Sequence, residues 1–360
     1  MNNARRLTSV LSVAALSLSV AVPSVAAASM PSIANTKCTK AGQVRTVKKV
    51  SYTCTKKGKS LVWVAGVKAA GAKATTAVSP AVAYLETQLA TLRSRANSAA
   101  ASSLVSSRVD PALAGSTWAA DSVTSIASAS KMLAALDAAP SKAATVYVSR
   151  SGAWVAPFTP AGCSLESAGA FCEPNVIITN IGAFIDAAGG SERAYGSLAA
   201  KLSIVGNTPH EIAHLAQSSV AERAGNKNVA FVRPNWMREG GAELFRVLWF
   251  AYDNGLTYKE ARDLFAARRK RANDTRCNSV GLAELAGTNS SHPTGCEYDD
   301  GFLAMEYLVW KTQNVRAEHV FTEKAAGSTA ADAFRSVFGF SLGDFHTEAD
   351  AYIAKELAAL

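Results

Sequence analysis

The chain has 360 residues, 49% of them apolar, with 37 basic and 28 acidic side chains and a formal charge of +9. That is enough for one sizeable core and a small accessory unit. The charge is uneven. Residues 29–85 carry ten Lys or Arg and no acid; with those and Arg5 and Arg6 set aside, 25 basic residues face 28 acidic ones from Glu86 onward. The large C-terminal part is therefore mildly acidic, and no specific nucleic-acid partner is expected of it.

Residues 1–28 read as a secretory signal. Arg5 and Arg6 make a basic start, Val10 to Val22 is apolar, and Ala26-Ala27-Ala28 offers a small-residue cleavage site. An uncleaved anchor is the alternative; Pro23 and the short apolar run argue against it, and no later segment is apolar over enough length to span a bilayer. Six cysteines in an exported chain point to disulfides. Sequence proximity pairs Cys38 with Cys54, Cys163 with Cys172, and Cys277 with Cys296. The absence of Cys-x-x-Cys spacing disfavours a cysteine zinc site.

Residues 29–64 form a small basic module, with strands expected over Val44–Val50 and Lys59–Val64 and a turn at Gly58. Its Cys54, Gly58 and Trp63 give it a resemblance to a small cysteine-pair repeat of secreted proteins, which implies attachment to a surface. Its charge suits an anionic cell-wall or surface polymer; a solvated, soluble tail is the alternative. Residues 65–79, rich in Ala, Gly, Lys and Thr, read as a linker, and 80–360 as one domain. Within it helices are expected over Pro80–Leu104 and Trp118–Ala138. Strands are expected over Val146–Ser149, Ala153–Phe158 and Asn175–Ile181, and mainly helix from Ser191 onward. Strands followed by a helical block make an α+β domain: a small sheet preceding a metal-binding helix and a mainly helical C-terminal half.

The chemistry lies in His210-Glu211-Ile212-Ala213-His214. Histidines four apart on a helix share a face one turn apart and can bind one metal ion, while the Glu between them can act as general base. Thr208 suits the N-cap and Pro209 the first helical position. The same residues also match a capping box, Thr208-x-x-Glu211, which would make Glu211 a mere cap. Downstream, Trp236-Met237-Arg238-Glu239-Gly240-Gly241-Ala242-Glu243 places Glu239 and Glu243 on one helix face. Two neutral His and a third protein ligand leave zinc an open position, so Glu239 is the expected ligand. Glu243, one turn on, can orient a ligating His through its other ring nitrogen.

His210, Glu211 and His214 followed by Trp236, Glu239, Gly240, Ala242 and Glu243 resemble the gluzincin metallopeptidases, and Gln217 suits the likeness. The stretch Tyr298-Asp299-Asp300-Gly301-Phe302 with Tyr307-Leu308 looks like the helix that follows the site in that group, and Phe334–Leu342 like its C-terminal helical element. The resemblance covers about residues 195–358. It implies a zinc peptidase with a peptide or protein substrate, ligands His210, His214 and Glu239, Glu211 as base, and Tyr298 as donor to the developing oxyanion. Tyr298 can equally be a core aromatic, and His292 is a second candidate donor. His319 and His346 read as structural. Two rivals remain: a non-catalytic surface protein with a structural zinc, and a metallohydrolase acting on a non-peptide amide.

Overall fold

The structure is a computed structural model that describes residues 36–39, 44–47, 50–57, 60–65, 78–163, 169–172, 175–182, 197–226, 229–271, 277–278, 280–287, 295–326 and 329–360. The expected signal segment, most of the linker, the Gly58 turn and His292 lie outside them. The chain divides into two units, Met1–Thr75 and Thr76–Leu360. Cys38–Cys54, Cys163–Cys172 and Cys277–Cys296 are disulfide-bonded, the pairing that sequence proximity predicts. Three disulfides fit an oxidising compartment. Among the described residues no helix is long and apolar enough to cross a membrane.

The N-terminal unit is an antiparallel sheet in the order β1 (Val44–Val47), β2 (Val50–Lys57), β3 (Ser60–Ala65). The strand expected over Val44–Val50 therefore ends at Val47, and Val50 opens β2, which the sequence reading passed over. Tyr52 and Cys54, two apart on β2, point to one face and are buried with Trp63, the register partner of Cys54.

In the second unit, α1 (Pro80–Ser98) starts as its sequence dictates: Ser79 Oγ accepts from Val82 N, and Pro80 takes the first position, where its missing N–H costs nothing. Leu85, Leu89, Leu92 and Ala96, at alternating spacings of four and three, are buried on one stripe. The helix stops six residues short of the expected Leu104. Beyond it Ser102 Oγ accepts from Leu104 N, a local bond that competes with helix, and the chain enters β4 (Val105–Val109). Helix α2 (Thr117–Ala135) leads to β5 (Ala144–Ser149), which pairs parallel with β4.

Ala153–Phe158 is not a strand. It forms the short helix α3 (Gly152–Val155) and a 3₁₀ turn, Ala156–Phe158. Pro157 has no N–H for a ladder, and the turn instead stacks Phe158 on Tyr147 with ring centroids 5.2 Å apart. The sheet is completed by β6 (Gly169–Cys172) and β7 (Val176–Asn180), in the order β4-β5-β7-β6. Strand β7 is parallel to β5; β6 is antiparallel to β7 and, among the described residues, forms an edge.

From Leu198 onward the described elements are helical: α4 (Leu198–Ile204), α5 (Asn207–Arg223), α6 (Val229–Val232), α7 (Asn235–Asp253), α8 (Tyr258–Arg271), α9 (Cys296–Thr312), α10 (Ala317–Lys324), α11 (Ala330–Phe338) and α12 (Leu342–Ala359). The domain is α+β, with a small sheet ahead of a mainly helical C-terminal half. Helix α5 packs across β6 and β7 on one side and against α7 on the other, and α7 crosses α9 most closely. At that crossing a Cβ on Gly240 would lie 2.1 Å from Gly301 O, and one on Gly301 2.6 Å from Trp236 O. Only glycines let the two backbones meet there. Gly339, at φ +80, ends α11 in the left-handed conformation, and Ser341 caps α12 by accepting from Asp344 N.

Candidate metal centre

The first residues of the site come from α5. This helix begins two residues earlier than its sequence suggests: Gly206 is the N-cap, and Thr208 lies inside the first turn. The Thr208 hydroxyl is instead buried in a hydrogen bond with Thr179 of β7, 3.1 Å away. That tie fixes the start of α5 on the sheet and removes the capping-box role from Glu211. Pro209 remains within the first turn, where the helix asks no hydrogen bond of it.

His210, Glu211 and His214 are all buried, and together they form a group that could hold a metal ion, each offering an atom within 4.8 Å of the others. Glu239, from α7, comes closer still to both histidines. His214 Nε2 stands 3.2 Å from His210 Nε2 and 3.2 Å from Glu239 Oε2, and His210 Nε2 is 3.4 Å from the same oxygen. Each histidine is oriented from behind. His214 Nδ1 donates to Gln217 Oε1 at 2.9 Å, while Gln217 Nε2 donates to Arg238 O at 2.9 Å, which fixes the amide's orientation. In the neutral ring His214 Nε2 is therefore the unprotonated nitrogen. His210 Nδ1 makes no hydrogen bond and faces Glu243 Oε2 at 3.7 Å. Arg246 Nη1 donates to both Glu243 oxygens, at 3.3 and 3.2 Å, and its Nη2 is anchored to Leu202 O of α4 at 2.6 Å.

The electrostatics favour positive charge at the histidines. Burial lowers the His210 pKa, but the Glu243 charge, contacts with Glu239 and Glu243, and the Glu211 charge outweigh it and push it up to about 10. Burial raises the Glu239 carboxyl; His214, the hydrogen bonds to both histidines and Arg238 overcome it and hold the group well below the usual carboxylate range. For Glu211 burial dominates and the pKa is raised, against the lowering pull of the two histidines.

These groups open onto a cleft of about 520 Å³. Its far wall is β6 with the Cys163–Cys172 disulfide, and Tyr298 of α9 closes one side. Gly169 on β6 lies against Glu211: a Cβ there would sit 2.5 Å from Glu211 Oε1. Tyr298 is 36% exposed, with its ring 5.8 Å from that of His210. Burial and the charges of Glu239 and Glu211 raise its pKa, which keeps the hydroxyl protonated and able to donate. Arg238, whose Nη2 lies 2.5 Å from Glu239 Oε1, also lines the cleft.

The structure thus brings His210, Glu211, His214, Glu239, Glu243 and Tyr298 together. His319 and His346 stand apart from the cleft: His319 is buried beside Glu318, and His346 Nε2 accepts from Trp236 Nε1 at 3.2 Å. Sequence reasoning passed over Gly169, Arg238 and Arg246. Arg246 had a signal in its spacing of three from Glu243 on one helix; Gly169 had none. Protein-family models, curated proteins and solved structures give no match to the chain.

Proposed function

We propose that this chain is an exported, zinc-dependent hydrolase of the gluzincin type that cleaves peptide bonds. One observation carries the reading: His210 Nε2, His214 Nε2 and Glu239 Oε2 form a near-equilateral triangle with sides of 3.2, 3.2 and 3.4 Å. Such a triangle is the face of a tetrahedron whose centre lies about 2.0 Å from each corner, the bond length of zinc to imidazole and carboxylate. With His214 Nδ1 protonated toward Gln217 and His210 Nδ1 facing Glu243, both Nε2 lone pairs converge with a carboxylate oxygen. Without a metal His210 holds a proton among these carboxylates, its pKa pushed up to about 10, and a metal ion would take that proton's place. His210, His214 and Glu239 would hold the ion, with Gln217 and Glu243 orienting the rings.

When bound, zinc would polarise a scissile carbonyl and bring the pKa of water toward neutrality. The remaining roles belong to side chains. Glu211 faces the cleft with a raised pKa, suited to taking a proton from the attacking water and passing it to the leaving nitrogen. Tyr298, whose hydroxyl stays protonated, would donate to the carbonyl oxygen as charge builds there. The outer edge of β6 offers backbone groups to an extended peptide. Export follows from the N-terminal signal pattern and the disulfides. The ten basic residues of 29–85 suit retention on an anionic wall or surface polymer.

The deciding experiment combines metal analysis with peptide-library cleavage for wild type and Glu211→Gln. The expected result is one zinc per chain in both, a chelator-sensitive activity in wild type, and a fall of about 10²–10⁴-fold in the variant. A protein that binds zinc and cleaves no peptide would defeat the peptidase reading in favour of a structural zinc or a non-peptide amide.

A further inference from the structure

Beyond His214 the cleft continues into a second lobe of about 330 Å³, which shares Phe171, His214 and Arg238 with the first. We propose that this lobe receives the substrate residue on the leaving side of the scissile bond, and that Arg238 pairs with a carboxylate carried by that residue. The proposal rests on the hydrolase reading above and names the substrate class of the same site: peptides cut one residue before a carboxylate.

The lobe's walls are apolar where Phe171, Ala221 and Val229 face it. Most of its polar groups are already engaged within the protein. Asn226 Nδ2 donates to Thr322 O and Ala325 O, both at 3.0 Å; Arg233 Nη1 pairs with Glu318 at 2.9 Å; Glu222 is held by Lys142. Gln217 is spent on His214 and Arg238 O. Arg238 differs. Its side chain is 42% exposed, lines both lobes, and spends Nη2 on Glu239 Oε1. A guanidinium has five N–H donors in a planar fork matched to a carboxylate, and water or substrate must take the rest. In the second lobe Arg233 is paired with Glu318 and Glu222 with Lys142, so among its described residues Arg238 is the cation with donors left for a ligand.

Spacing supports the pairing. Glu239 touches the histidine nitrogens with Oε2 and Arg238 with Oε1, so the guanidinium stands one carboxylate and one hydrogen bond away from an oxygen that would hold the metal. In a substrate, the scissile carbonyl and the next carbonyl carbon along the chain are one residue apart, about 3.3–3.6 Å. A terminal carboxylate directly after the cut would thus be the substrate group nearest to that guanidinium. An acidic side chain on the same residue is the other source of the same group.

The test uses the full zinc-loaded protein and three peptides: acetyl-Ala-Ala-Phe as free acid, the same peptide as carboxamide, and acetyl-Ala-Ala-Asp carboxamide. With a terminal carboxylate as the ligand, kcat/KM for the free acid exceeds that for the Phe carboxamide by about 10–100-fold, the worth of a charged hydrogen bond. Arg238→Gln brings the ratio toward one, with zinc content measured alongside because Arg238 touches Glu239. Rapid cutting of the Asp carboxamide, equally dependent on Arg238, assigns the carboxylate to the side chain instead. Equal rates for acid and Phe carboxamide in the wild type, with the Asp peptide no faster, overturn the proposal. If none of the three peptides is cut, calorimetry with N-acetylphenylalanine and its amide decides the site separately from the peptidase reading. Acid-selective binding lost in Arg238→Gln keeps the carboxylate site; equal or absent binding removes it.

Discussion

Gly169→Ala is the perturbation whose added methyl meets Glu211, the proposed base, first. A Cβ at 169 would lie 2.5 Å from Glu211 Oε1 and 3.2 Å from both Cδ and Cγ of the same side chain, with no other residue among its nearest atoms. Ordinary contact requires the carboxylate to recede by about 0.5–1 Å. The atom in the way is the far end of a flexible side chain rather than backbone, so the fold absorbs the change and β6 keeps its pairing with β7. A general base displaced by about 1 Å from its working geometry loses on the order of 10²-fold. The expected outcome is a fall of about 10–100-fold in kcat, with zinc stoichiometry and melting temperature near wild type. Steady-state kinetics on a cleaved peptide, metal analysis and a thermal melt read the three quantities. Full activity in Gly169→Ala would show that Glu211 does not act from the position described. Lost zinc would show that β6 shapes the ligand set rather than the base.

Two further outcomes follow from buried charge. Arg262 bonds Glu306, which is fully buried, and reaches Glu356 at 2.7 Å, while the Tyr258 and Tyr352 hydroxyls also donate to Glu306, both at 2.5 Å. Arg262→Met strands two carboxylates and should cost about 3–5 kcal/mol in urea unfolding, more than replacing Arg262, Glu306 and Glu356 together by apolar residues; the reverse order would refute the network's role. Burial lowers the pKa of His346 and of His319, so below the unfolded value of about 6.5 the unfolded chain binds more protons and stability falls with pH. Chelator-treated His346→Gln, which still accepts from Trp236, should show a shallower loss of melting temperature between pH 7 and 5 than wild type; an unchanged slope would rule His346 out as a source.

The parts of the fold that the sequence announced are those with local causes. Ser79-Pro80 and the Leu85, Leu89, Leu92 spacing place α1 because capping and periodicity act within a few residues. His210, Glu211 and His214, and Glu239 with Glu243, are legible for the same reason, since a helix repeats every turn. What escaped has long-range causes. Strands β4 and β6 are short, and β4 is largely exposed, so neither shows alternation strong enough to read; they exist because β5 and β7 offer edges to them. Thr208 looks like a cap until Thr179, 29 residues earlier, takes its hydroxyl. Ala153–Phe158 looks like a strand until Pro157 and the Tyr147 ring decide otherwise. Gly169 carries no pattern, because its importance lies entirely in what a side chain there would strike.

The same distinction explains how residues far down the chain govern the site. Glu239 and Tyr298 come from α7 and α9, and their relative placement depends on the crossing where Gly240 and Gly301 put two backbones in contact. Trp236, one turn before Glu239, is stacked on Phe345 at 5.3 Å and donates to His346, both on α12. Phe345 in turn packs against Phe334 of α11. On α7, then, the turn carrying Glu239 is clamped between α9 and α12, while Arg246, two turns beyond Glu239, ties Glu243 to Leu202 of α4. A ligand set spanning two helices needs its atoms held to a few tenths of an ångström, and no local sequence signal can supply that precision. The aromatic cluster of α11 and α12 supplies it from behind, so truncating the C-terminal helices would loosen Glu239 without removing a single residue of the cleft.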